Sequence, residues 1–115
     1  MTEKAKRRLT IALSERRPIT IDPDEWPIIA EASLDYDKCD LYVRVRQHAD
    51  GRAIVYSGAV HAPGHGPSVY GGFFIDEPVD MVDVQLPSVI RRAAGIIECP
   101  RLGSECIANL PPEEV

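Results

Sequence analysis

The sequence lacks an apolar run of about 18 residues or more, the length that a membrane helix needs. Its first residues also lack the apolar core of a secretory signal peptide. With 44% hydrophobic and 27% charged residues, the composition is that of an ordinary globular protein. We therefore expect a cytoplasmic protein with no membrane partner.

Cysteine is scarce, since the 115 residues contain only Cys39, Cys99 and Cys106. An odd number of cysteines without a secretory signal favours reduced thiols over a disulfide framework. Cys99 and Cys106 do not have the spacing of a zinc-ligand pair such as CxxC. We interpret Cys99 and Cys106 as small buried apolar residues, a common role of reduced cysteine.

The chain also lacks the common catalytic signatures GxSxG, HExxH, CxxC, GxGxxG and Walker A. His61 and His65 are four residues apart, but the surrounding prolines and glycines prevent the helix that would place both on one metal ion. The acidic run of Asp35, Asp37 and Asp40 lacks the central glycine and closing glutamate of a calcium-binding EF-hand loop. We therefore predict no cofactor, no metal site and no catalytic residue, and an enzyme of unknown class is the alternative.

Charge is distributed unevenly along the chain. The formal net charge is −5, yet residues 1–17 contain six basic and two acidic side chains, a net +4, so the remaining 98 residues carry −9. We predict a flexible basic arm at residues 1–8 and a single domain at residues 9–115. The arm's side chains suit contact with nucleic acid or with an acidic surface: Lys4, Lys6, Arg7 and Arg8.

Residues 41–60 carry the clearest structural pattern, because apolar side chains occupy every second position from Leu41. The Ala-Asp-Gly sequence at 49–51 predicts a turn, and the apolar run Ala53–Tyr56 completes a β-hairpin. If the apolar positions face a core, the polar ones share the opposite face: Tyr42, Arg44 and Arg46. Arg and Tyr are frequent anchors of protein interfaces, so this face is a candidate partner-binding surface, with a solvated sheet face as the alternative.

Three more segments are predicted to be strands. Residues 9–13 fit a strand or a helix, and their β-branched residues together with the following Ile19–Ile21 favour two short strands. Ser68–Ile75 predicts another strand, with a bulge or a close approach at Gly71-Gly72. Tyr70 in this strand is a further candidate contact residue.

Helix signals occur at two main places. Asp22 and Pro23 predict a helix that begins at Asp22 and ends near Ser33, with Trp26 on its buried side. A helical apolar stripe predicts a second helix, Pro87–Ile97, which Pro100 ends. A last short helix is predicted at Gly103–Leu110.

An acidic group follows the Ser68–Ile75 strand: Asp76, Glu77, Asp80 and Asp83. Such a group can form a patch for a basic partner. The alternative is the solvated rim of a loop, since surface charge needs no further role.

Three segments resemble short uncharacterised proteins of bacterial chromosomes and mobile elements: IDPDEWPIIA, VRVRQHADGRAIVYSG and SECIANLPPEEV. In size and charge the chain also resembles inhibitors carried by phages and plasmids, including anti-CRISPR proteins. That class shares an activity and has no common motif. The resemblance therefore implies a protein-binding inhibitor and gives a role to no particular residue.

These patterns predict an α+β fold, in which a small antiparallel sheet built on the central hairpin is packed by the Asp22–Ser33 and Pro87–Ile97 helices. The predicted function is that of a non-enzymatic protein-binding module, an inhibitor or regulator of a larger protein or complex. One alternative is a small nucleic-acid-binding regulator that uses the basic arm. An exposed hairpin edge would also allow a homodimer by strand pairing.

Overall fold

The computed structural model describes residues 8–14, 16–36, 39–60, 68–80 and 83–112. These residues form an α+β fold, as predicted, with strands β1 Leu9–Ile11, β2 Ile19–Ile21, β3 Ile28–Tyr36, β4 Cys39–Gln47, β5 Ala53–Val60 and β6 Ser68–Ile75, and helices α1 Gln85–Ile96 and α2 Pro100–Ala108. Neither helix in this part of the chain combines the length and the apolar character required to cross a lipid bilayer.

The main sheet is a four-stranded antiparallel meander in the order β3-β4-β5-β6. The predicted hairpin is confirmed as β4 and β5, and its turn is closed by the Gly51 amide, which donates to the His48 carbonyl at 2.9 Å. Gly51 has a φ of 97°, a conformation that favours glycine. Because β3 and β6 flank the hairpin, the outer edges of the sheet belong to those strands, and the predicted exposed hairpin edge is wrong.

Both helices pack on one face of this sheet. Val43 and Val45 are fully buried there, as the alternation predicted, and they lie in one cluster with Leu86 and Ile90 of α1 and Leu102 of α2. This cluster forms the larger of the two apolar cores. Its burial provides most of the hydrophobic free energy that holds α1 and α2 in place.

A smaller core lies on the opposite face, under the antiparallel pair of β1 and β2. The two short strands predicted from residues 9–13 and 19–21 are therefore confirmed. Ile11, Ile21 and Trp26 pack against Ile54 and Tyr56 of β5. Trp26 is only 6% exposed, which confirms that it is a core residue.

The predicted Asp22–Ser33 helix is wrong. Residues 22–26 form a turn, in which Asp22 Oδ1 accepts the Asp24 amide at 2.9 Å, and the chain then enters β3. Aspartate and proline begin turns as readily as helices, so the start signal was ambiguous. A β-bulge between Ile28 and Ala30 shifts the register at Ile29, and this places two consecutive apolar residues in the larger core, a pattern that imitates a helical face.

The C-terminal helices follow the predicted order with one change. The predicted Pro87–Ile97 helix is confirmed as α1. The last helix begins at Pro100, earlier than the predicted Gly103, because proline suits the first turn of a helix as well as it ends one. The two helices that pack on the sheet are thus α1 and α2.

The cysteines differ in burial. Cys106 of α2 is fully buried in the larger core, whereas Cys39 and Cys99 are partly buried. None of the three forms a disulfide bond in the described part of the chain. Of Cys99 and Cys106, for which we predicted a buried apolar environment, only Cys106 is fully buried.

Candidate binding groove

A groove with a volume of about 450 Å³ opens where the beginnings of β4 and β6 meet the end of α1. Its described lining is mostly apolar: Cys39, Leu41, Tyr70, Ile96, Ile97, Glu98 and Cys99. Concave apolar sites of about 300–1,000 Å³ are typical of ligand pockets. We call this site the groove.

Tyr70 is placed in the groove by a β-bulge. Val69 pairs with Gly58 and Gly71 pairs with Ser57, so Tyr70 is the extra residue between two consecutive pairs of β5 and β6. A bulge changes the direction of its side chain relative to the regular alternation of a strand. Tyr70 is 49% exposed as a result, although β6 is mostly covered.

Ile96 reaches the groove because α1 ends directly over β6. A Cβ atom added at Gly71 would lie 3.0 Å from Ile96 Cδ1, so the glycine permits this close approach. Ile96 is 37% exposed. Tyr70 and Ile96 are therefore the most exposed apolar side chains of the groove.

The end of α1 has the hydrogen bonds of a Schellman motif. The Glu98 amide donates to the Gly95 carbonyl and the Cys99 amide donates to the Ala94 carbonyl, both at 3.1 Å. Glycine is the usual residue at the position of Glu98, because φ is positive there, and Glu98 has a φ of 54°. Among the residues that the structure describes, Glu98 alone combines a side chain with a positive φ.

We expect Glu98→Gly to raise the free energy of unfolding by about 0.5–1 kcal/mol. Removing the side chain relieves a left-handed backbone strain of about 1–2 kcal/mol, and the extra freedom of glycine in the unfolded chain offsets about half of this gain. Urea denaturation measures the difference. Glu98→Ala is the matched control, since alanine also has a Cβ atom; a similar gain in that variant would show that the carboxylate, and not the backbone, is the source of the strain.

The predicted contact residues of β4 lie on the face that β1 and β2 partly cover. Tyr42 is 3% exposed, and its hydroxyl donates to the Ser68 carbonyl at 3.1 Å. Arg46 donates from Nε to the Tyr56 hydroxyl at 2.8 Å and from Nη1 to the Trp26 carbonyl at 2.9 Å. These two hydrogen-bonded side chains connect the smaller core to the main sheet.

Arg44 lies on the same face, and its side chain is 26% exposed. Its guanidinium lies over the Tyr42 ring, 4.5 Å from the centroid, and its Nε atom is 3.3 Å from Glu31 Oε2. The buried Nε nevertheless makes no hydrogen bond, because the ion-pair geometry is poorly aligned for one. Arg44 and Arg46 are thus both partly buried, whereas Tyr70 is exposed.

Two carboxylates of the acidic group after β6 contact other parts of the chain. The carboxylate of Asp76 is 3.4 Å from Arg16 Nη1, and Asp83 Oδ1 accepts the Gln85 amide at 2.8 Å at the start of α1. Glu77 and Asp80 are exposed. Asp76 and Asp83 therefore make contacts within the chain.

Several predicted features lie outside the described residues: Lys4, Lys6, Arg7, Asp37, His61 and His65. Arg8 is described and is exposed immediately before β1. Asp35 and Asp40 face each other across the β3–β4 hairpin. No group of three or more potential metal ligands occurs among the side chains that the structure describes.

Most residues of the groove could not be predicted from the sequence. Tyr70 was a predicted contact residue, but Ile96, Glu98 and Leu41 were not, because the groove forms only when β4, β6 and the end of α1 come together from distant parts of the sequence. The glycine pair beside Tyr70 was the only local signal of a close approach at this point.

Comparison with protein-family models, with curated proteins and with solved structures found no match to this chain.

Proposed function

We propose that this protein is a non-enzymatic protein-binding module that acts through the groove, as an inhibitor or regulator of a larger protein. One observation carries the proposal. Four large hydrophobic side chains are exposed in the described part of the chain, and two of them, Tyr70 and Ile96, line the same concave site. Single exposed apolar residues are normal on a protein surface, whereas adjacent ones that line a groove are typical of a binding site.

The residue types and their supports favour a protein partner. Tyrosine is enriched at protein interfaces, since it combines a large apolar ring with a polar hydroxyl and loses little conformational entropy on binding. Tyr70 lies on a strand of the main sheet, and Ile96 lies on a helix that packs on that sheet. Such supports hold the two side chains in place before a partner arrives, which lowers the entropic cost of association.

The described lining gives little support to catalysis. Cys39 and Cys99 supply thiols, but nucleophilic catalysis by cysteine needs a base such as histidine within hydrogen-bond reach. None of the described lining residues is a histidine. A binding role needs no such pair.

The direct test compares affinity capture by the wild-type chain and by a Tyr70→Ala/Ile96→Ala variant from extracts of the source cells. We expect the wild type to retain one stoichiometric protein partner and the double variant to retain less than a tenth of it, because truncated anchor residues usually cost a large share of the binding energy. Val84→Ala is the matched control, since Val84 is 84% exposed and lies outside the groove. Thermal unfolding of each variant verifies that the fold is kept.

Two results would contradict the proposal. The groove is not the interface if the double variant retains the partner as well as the Val84→Ala control does. If capture disappears after nuclease treatment, and also after deletion of residues 1–8, the alternative of a nucleic-acid-binding regulator replaces it.

A further inference from the structure

The groove combines an apolar lining with charge of a single sign. Among its described lining residues Glu98 alone carries a formal charge at neutral pH, and it is exposed. The whole chain has a formal net charge of −5, which adds a long-range attraction for cations. We propose, on the basis of the function proposed above, that the groove binds a segment of a partner protein in which an apolar side chain stands beside Lys or Arg.

The apolar part of such a segment fits the lining. Leu41, Ile96 and Ile97 provide aliphatic surface, and a volume of about 450 Å³ accommodates one large side chain together with part of its backbone. Burial of this side chain supplies the binding energy. The groove therefore selects for an apolar residue at the central position of the segment.

The basic part of the segment has two partners at the groove. The Glu98 carboxylate attracts a neighbouring ammonium or guanidinium group. The half-exposed ring of Tyr70 attracts the same cation through its face. An acidic segment would instead meet the repulsion of Glu98, so the sign of the flanking charge decides the specificity.

The backbone at Glu98 gives independent support for a role of this carboxylate. A glycine would relieve the positive φ at this position, yet a glutamate lies there, at the end of α1 and in the groove. Strained residues of this kind cluster at functional sites. A second copy of the chain is a less suitable occupant, since two molecules with net charges of −5 repel each other.

The experiment titrates the full chain, labelled with ¹⁵N, with two blocked tripeptides, acetyl-Lys-Phe-Lys-amide and acetyl-Glu-Phe-Glu-amide. The two probes share the apolar residue and differ in the flanking charge. We expect the lysine peptide to shift the amide resonances of Tyr70 and Ile96 with at least fivefold higher affinity than the glutamate peptide. Raising the salt concentration should reduce this difference, because salt screens exposed charges.

Variants separate a specific site from general attraction to an acidic protein. Glu98→Gln should weaken the lysine peptide about threefold, the modest effect of one exposed ion pair. Glu77→Gln removes an exposed carboxylate outside the groove and should change nothing. Equal losses in the two variants would overturn the inference, and so would equal affinities for the two peptides. Absence of shifts at the groove would overturn it too.

The two proposals can fail separately. If the lysine peptide fails but Tyr70→Ala/Ile96→Ala still abolishes capture of a partner, the groove is an interface with another specificity. If the lysine peptide binds as expected but the double variant retains its partner, the charge selection holds and the groove is not the interface used in that complex.

Discussion

Gly58→Ala is expected to lower the free energy of unfolding by about 3 kcal/mol or more, a large loss for a single methyl group. A Cβ atom at this position would collide with the carbonyl oxygen of Ser68 on β6 and lie 2.6 Å from the hydroxyl oxygen of Tyr42. The Tyr42 side chain starts on β4, passes over Gly58 on β5 and donates to that same carbonyl. The methyl group would therefore force apart three neighbouring strands. Denaturant unfolding monitored by circular dichroism measures the loss.

The matched control for this variant is Gly95→Ala in α1. No atom lies within 4 Å of the position that its Cβ would occupy, and alanine is favoured over glycine inside a helix. We expect this variant to be more stable than the wild type by about 0.5–1 kcal/mol. If the two Gly→Ala substitutions change the free energy of unfolding in opposite directions, the packing around Gly58, and not the loss of glycine as such, causes the destabilisation.

A Tyr42→Phe background separates the two collisions at Gly58. If the tyrosine hydroxyl were the main obstacle, Gly58→Ala would cost much less in that background. The collision with Ser68 involves backbone, which cannot move without breaking the pairing of β5 and β6. We therefore expect most of the loss to remain, and full recovery would contradict this explanation.

The strands could be predicted from the sequence where one periodicity dominated. Val43 and Val45 alternate with polar residues, and a period of two has no helical interpretation. The helix prediction for residues 22–33 failed because the sequence pattern there fits two structures. Asp22 and Pro23 suit a helix start and a turn equally, and the bulge at Ile29 interrupts the alternation of β3. A local pattern cannot distinguish a helix from a turn followed by a strand when the same residues favour both.

The covered face of β4 shows a second limit of sequence reasoning. Alternation correctly placed Tyr42, Arg44 and Arg46 on one face, but it could not show that β1 and β2 cover part of it. Whether an arginine faces solvent or bridges Tyr56 and Trp26, as Arg46 does, depends on tertiary contacts. The groove is subject to the same limit, because it exists only after α1 has packed against β6.

Stability is expected to fall by about 4 kcal/mol between pH 8 and pH 11, because two buried groups keep protons that the unfolded chain releases. Burial raises the pKa of the Cys106 thiol to about 12, and the nearby Glu31 carboxylate adds to the effect. Burial likewise raises the pKa of the Tyr42 hydroxyl to about 12, with a further contribution from Tyr56. The ordinary pKa values are 9.0 for the thiol and 10.0 for the hydroxyl.

The direction follows from proton binding in the two states. Below about pH 9 the folded and unfolded chains both hold these protons, so the stabilisation is fully present. As the pH rises towards 12, the unfolded chain loses them first, and each group then lowers the free energy of unfolding by about 1.4 kcal/mol per pH unit. The thiol contributes from about pH 9 and the hydroxyl from about pH 10.

Urea denaturation at pH 8, 9, 10 and 11, in the presence of a phosphine reductant, measures this loss for the wild type, Cys106→Ala and Tyr42→Phe. Cys106→Ala is less stable at pH 8, because it leaves a small cavity in the larger core, but it should lose about 2–3 kcal/mol less than the wild type between pH 8 and pH 11. Tyr42→Phe should reduce the loss only above about pH 10. A wild-type pH dependence in Cys106→Ala would mean that the thiol is accessible to solvent in the folded chain, and α2 would then not pack on the sheet as described. The slope of the free energy of unfolding against pH reports the difference in bound protons between the folded and unfolded chains, and it does not depend on the stability at pH 8. This slope therefore tests the packing of α2 even though Cys106→Ala is itself destabilising.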